Sequence, residues 1–129
     1  MVLFLLERKV KKMEIELIRG DTSDTYKFQR TDSDGVITTK AQNVWITFKR
    51  TPEKKEALFQ KTLKNGGVTF SEEDYFYRFK IEKGDTCDLV CGTYGFDIAI
   101  LNEIGEKKTL INNGVLRIVN NYTHKDNEV

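Results

Sequence analysis

Gly92-Thr93-Tyr94-Gly95-Phe96-Asp97-Ile98-Ala99-Ile100-Leu101 puts Tyr94, Phe96, Ile98 and Ile100 on every second position. Side chains of a strand point alternately to opposite faces, so this run predicts a strand with one apolar face. A helix would need apolar residues every three or four positions. The period of two recurs on both sides. Met13, Ile15 and Leu17 alternate with Glu14 and Glu16, Tyr26 and Phe28 with Lys27 and Gln29, and Val44, Ile46 and Phe48 with Trp45 and Thr47. Tyr75, Tyr77 and Phe79 alternate with Phe76, Arg78 and Lys80. Val115, Arg117 and Val119 alternate with Leu116 and Ile118. Shorter strands are expected at 57–63, 68–70 and 107–111.

Turn chemistry separates these runs. Asp32-Ser33-Asp34-Gly35 and Asn65-Gly66-Gly67 combine residues that tolerate positive φ or cap their own turn. Pro52 and its charged neighbours end the third run, because proline cannot donate to a ladder. Gly105-Glu106 marks a hairpin, and Asn112-Asn113-Gly114 a bulge or turn. No stretch reads as a helix of useful length. About seven to nine short strands imply an all-β, antiparallel two-sheet sandwich. The expected organisation is an N-terminal arm over 1–12, one domain over 13–120 and a polar tail over 121–129.

Composition narrows the function. The 129 residues suit one domain with a core of useful size. Lys+Arg number 21 and Asp+Glu 20, a balance unlike the basic excess of a nucleic-acid binder or a polybasic membrane anchor. The longest apolar run, Val2-Leu3-Phe4-Leu5-Leu6, is far short of the roughly 20 residues that span a bilayer. Arg8, Lys9, Lys11 and Lys12 follow that run instead of preceding it, so no secretory signal is expected. An exposed apolar run marks a contact surface, and Val2, Leu3, Phe4, Leu5 and Leu6 are candidate contacts to a neighbouring subunit or to the chain's own domain. Cys87 and Cys91 stand four apart in a β context, and are read as reduced, small buried residues.

Two clusters join strand to turn in an ordered way. One is Ile18-Arg19-Gly20-Asp21-Thr22. The other is Gly84-Asp85-Thr86 followed by Leu89, Gly92-Thr93-Tyr94 and Asp97. With Val44-Trp45-Ile46-Thr47-Phe48-Lys49 between them, and Lys108-Thr109-Leu110 and Gly114-Val115-Leu116-Arg117-Ile118 behind, the set resembles the N-terminal domain family of phage baseplate upper proteins and related tail modules. The likeness covers about residues 13–120. The chain departs from the pattern by carrying Met1 to Lys12 in front, and by stopping where members often continue into further tail domains. The resemblance implies an immunoglobulin-like fold and a structural virion component of a phage or prophage tail baseplate, made in the bacterial cytoplasm. It implies protein–protein contacts with other tail proteins through sheet edges and loops, and a homo-oligomer within the assembly. Gly20, Asp21, Trp45, Asp85, Thr86, Gly92, Tyr94 and Asp97 are its structural positions. Independently, Tyr94 stands where sandwiches place a tyrosine whose hydroxyl bonds upstream backbone.

Chemistry-bearing residues form no catalytic set. No nucleophile, base and orienter combine, so no enzyme and no cofactor is expected. Arg19-Gly20-Asp21 spells an adhesion tripeptide, yet reads as a strand-ending turn. His124 is the only histidine, too few for a metal site. Asp32, Asp34, Glu72, Glu73 and Asp74 lack the order of a calcium loop. Asn121-Tyr122-Thr123 matches a glycosylation sequon without a secretion signal. The rival reading is a module binding carbohydrate or a host surface, which needs an exposed aromatic platform; Trp45, Tyr75, Tyr77 and Tyr122 are its candidates.

Overall fold

The computed structural model describes residues 2–6, 13–51 and 53–120, and for 2–6 the course of the backbone alone. The elements are β1 (Val2–Leu6), β2 (Glu14–Ile18), β3 (Tyr26–Asp32), β4 (Gly35–Val36), β5 (Asn43–Lys49), β6 (Phe59–Thr62), β7 (Val68–Phe70), β8 (Tyr77–Phe79), α1 (Lys83–Thr86), β9 (Gly92–Leu101) and β10 (Lys107–Val119). They form two five-stranded sheets. One runs β1-β3-β8-β7 with β4 paired to β3, the other β2-β10-β9-β5-β6. Strands β3-β8-β7 facing β10-β9-β5-β6 reproduce the order B-E-D against G-F-C-C′ of an immunoglobulin-like sandwich. His124 and the Asn121-Tyr122-Thr123 sequon lie outside the described residues.

Alternation builds the core. Val44, Ile46 and Phe48 of β5 and Tyr94, Phe96, Ile98 and Ile100 of β9 are buried against Phe28 of β3 and Tyr77 and Phe79 of β8. Phe48 stacks on Phe59 at 4.3 Å and meets Phe96 at 5.1 Å. The Tyr77 hydroxyl accepts from the Ala41 amide at 3.0 Å and so stitches the sheets together. Arg30 breaks the apolar pattern. It is 1% exposed, and its guanidinium donates to Glu103 at 2.8 Å and to the Thr39 carbonyl at 3.2 Å. It closes one end of the core, where the turns over 33–42, 71–76 and 102–106 gather.

Several expectations change in the structure. The sandwich is not purely antiparallel: β1 pairs with β3, and β2 with β10, in parallel. The arm expected at 1–12 includes a strand, and its partner is the chain's own first sheet, with Val2 beside Lys27 and Leu6 beside Thr31. Alternation over 75–81 yields only the three residues of β8. Tyr75 has φ +62 in the β7–β8 turn, held by its amide bond to the Ser71 carbonyl at 2.8 Å. Residues 107–119 form one strand with two register shifts, which bury Leu110 and Ile111 side by side and leave Asn112 and Asn113 outside. Cys87 is exposed just after α1 and so is not a core residue, whereas Cys91 is half-buried and packs against the core. Among the described residues no helix is long and apolar enough to cross a membrane.

Candidate functional site

The two clusters that share Gly-Asp-Thr meet at the other end of the sandwich. Gly20 turns the chain after β2 with φ +81, a conformation favouring glycine. Its amide donates to Thr86 Oγ1 at 3.0 Å, and Thr86 is completely buried. The Asp85 carboxylate accepts from the Glu82 amide at 2.8 Å and pairs with Lys61 at 2.6 Å. Ser23 and Ile81 exchange two bonds, backbone to backbone at 2.9 Å and amide to hydroxyl at 2.8 Å. Tyr94 is 3% exposed, and its hydroxyl donates to the Val90 carbonyl and accepts from Arg50 Nη1 at 3.1 Å. This is the tyrosine-corner arrangement at the start of the F strand. Arg19 and Asp21 are exposed on a turn fastened through Gly20, and Gly92 opens β9. Identical tripeptides thus take opposite parts: Thr22 is exposed, and Thr86 caps a distant backbone group from inside.

The outward face of the second sheet differs in kind. Asp97 lies at its centre, directly opposite Thr47 of β5. Two shallow depressions share it. One, of about 330 Å³, is lined by Trp45, Thr47, Lys49, Gln60, Ala99 and Lys107 among others. The other, of about 100 Å³, runs past Gly95 to the bulge residues Asn112, Asn113 and Gly114. Packing explains the glycine that ends the bulge: a Cβ on Gly114 would stand 2.6 Å from the Phe96 ring. The bulge also sets two amide side chains beside Asp97, a familiar use of bulges at sites. Trp45 is half-buried with its ring on this face, and the Lys107 ammonium lies 5.8 Å from the ring centroid. Gln60 Nε2 donates to Thr47 Oγ1 at 2.8 Å.

Among the described residues the Asp97 carboxylate has no hydrogen bond and no ion pair. Burial raises its pKa, and the charges of Lys49 and Lys107 only partly offset that rise. A half-buried carboxylate, without a fixed partner and between two depressions, is the mark of a binding position more than of a framework one. The sequence placed Asp97 among structural positions, since alternation tells which residues face outward but not which of them lack partners.

Of the aromatic platform proposed from sequence, Trp45 alone lies on this face. Tyr77 is fully buried, Tyr75 sits in a turn of the other sheet, and Tyr122 is outside the described residues. Among the described residues no three His, Cys, Asp or Glu side chains gather around a metal-sized point. Of the acidic residues weighed for calcium, Asp74 is bound to Arg78, which holds its carboxyl well below the usual carboxylate range. Asp32 accepts from the Asp34 amide at 2.8 Å within its own turn. No protein-family model and no curated protein matches this chain.

Proposed function

We propose that this chain is a non-enzymatic assembly module of a phage or prophage tail baseplate, making protein–protein contacts through its sheet edges and loops. The observation that carries the reading is where the ordered motif set falls. Its parts occupy the turn after β2, strand β5, helix α1 and the start of β9. These are the framework positions of an immunoglobulin-like sandwich, with the turn after β2 bonded to α1 through Gly20 and Thr86 and the start of β9 bonded to upstream backbone through Tyr94. A body so fastened suits a building block whose work is to hold contact surfaces in fixed geometry. The edge strands β2 and β6 of one sheet, and β1 and β7 of the other, are where neighbours would add strands. Symmetry would multiply weak contacts into a stable particle.

Mass spectrometry of particles purified after prophage induction of the source organism tests the reading. The chain is expected in a fixed ratio to known tail proteins, with cross-links to a tail neighbour and to further copies of itself. Complete, infectious particles that lack it would overturn the proposal.

A further inference from the structure

The outward face of the second sheet carries charges that narrow its partner. Asp97 is flanked by Lys49 on its own side of β5 and by Lys107 at the start of β10, and Lys55 lines the larger depression with them. A cationic partner brought to Asp97 meets the ammonium groups of Lys49, Lys55 and Lys107. An anionic partner drawn by the lysines meets the carboxylate between them. An apolar partner would bury that carboxylate with nothing to bond it, which is costly. A neutral molecule bearing several hydroxyls avoids all three penalties. Its hydroxyls donate to Asp97, an acceptor only when ionised, and accept from Lys49 and Lys107, donors only.

Shape agrees, with a small apolar patch beside the polar groups. Trp45, half-buried, stands opposite the buried Ala99 across β5 and β9, and offers a small apolar patch two residues along from Asp97. Asn112 and Asn113 rise on the other side from the bulge, each offering a donor and an acceptor. The larger depression, about 330 Å³, lies at the small end of ligand pockets, roughly 300–1,000 Å³. We infer that this face binds a neutral pyranose sugar, with its hydroxyls on Asp97, Lys49, Lys107 and the bulge asparagines and its C–H face against Trp45. The site is shallow, so single-site affinity falls in the millimolar range, about −4 kcal/mol or weaker. The inference is independent of the assembly reading, which is decided by particle content.

Trp45 is the only tryptophan in the chain, so its indole N–H signal and fluorescence report this face alone. The test is a titration of the full chain with methyl α-glucopyranoside, methyl β-galactopyranoside and N-acetylglucosamine, against glucosamine and glucose 6-phosphate as charged counterparts. At least one neutral sugar is expected to shift the Trp45 signal saturably, and its charged counterpart to bind more weakly. Asp97→Asn keeps the side-chain shape and breaks no hydrogen bond among the described residues. It is expected to weaken binding about tenfold, the equivalent of one charge-assisted hydrogen bond. Thr69→Ala, on an exposed position of β7 in the other sheet, leaves binding unchanged. Three results would overturn the inference: no saturable shift with any neutral sugar, charged sugars binding as well as neutral ones, or Asp97→Asn binding like the parent.

Discussion

Asp85 and Asp97 lie twelve positions apart, yet their surroundings are opposite. Asp85 has a backbone amide and Lys61, and the Gly20 amide beside it is met by Thr86. Asp97 has burial without a fixed partner among the described residues, and its pKa is raised by that burial. At the corner around α1 the chain supplies the partner for each of these groups, so their worth is spent within the fold. On the outward sheet face a polar group is held ready at a cost to the fold. Removing a group should therefore destabilise in the first region and be harmless or stabilising in the second.

The largest effect is expected from Thr86→Val, which keeps the shape, removes the acceptor and leaves the Gly20 amide unmet. Denaturant melts should show a loss of about 1–3 kcal/mol, while Thr22→Val, exposed in the matching tripeptide, stays within about 0.5 kcal/mol. Equal effects at the two positions would remove the distinction. Gly20→Ala follows at about 1–2 kcal/mol, because φ +81 is strained for a residue with a Cβ. Gly84→Ala should go the other way, gaining about 0.4–1 kcal/mol, since Gly84 has ordinary helical backbone and open space around a built Cβ. Tyr94→Phe is expected to cost about 1 kcal/mol by leaving the Val90 carbonyl and Arg50 without the hydroxyl.

The smallest effect is Asp97→Asn, and its sign sharpens the comparison most. A carboxyl with a raised pKa in the folded state favours folding while protonated, and that advantage is lost as pH rises through the folded pKa. At pH 7 the ionised group therefore opposes folding, and the amide should gain up to about 0.5 kcal/mol, kept small by solvent. Thermal melts across pH should show the gain fading as pH falls below the ordinary value of 3.8, where both states hold the proton. A clear loss of stability at pH 7 would place Asp97 with Asp85 as a framework residue.

Much of the fold is legible in the sequence because the strands that pair in the core bury one face only. Val44, Ile46 and Phe48, and the residues from Tyr94 to Ile100, read correctly for that reason. Legibility fails where neighbours in space override the period. Arg30 lies at a core position because Glu103 and Thr39, distant in sequence, satisfy it. Residues 75–81 alternate, but a turn claims Tyr75 and leaves a three-residue strand. Pairing direction carries no periodic signal, so the parallel joins of β1 and β2 were out of reach. Tyr94 could be anticipated because its role is local, its hydroxyl reaching back four residues. Asp97 could not, because its character comes from three strands and a bulge that only the folded sheet assembles.

The parallel join of β2 to β10 has a mechanical consequence. Glu14 lies beside Val115 and Ile18 beside Val119, with further bonds between Met13 and Val115 and between Arg19 and Val119. Tension applied between Met13 and Val119 pulls these two strands along their length in opposite directions. Every rung of that ladder is loaded at once in shear, whereas a hairpin pulled at its open end would yield one rung at a time. The domain is thus built to transmit a stretching force without lengthening until the whole β2–β10 seam gives way.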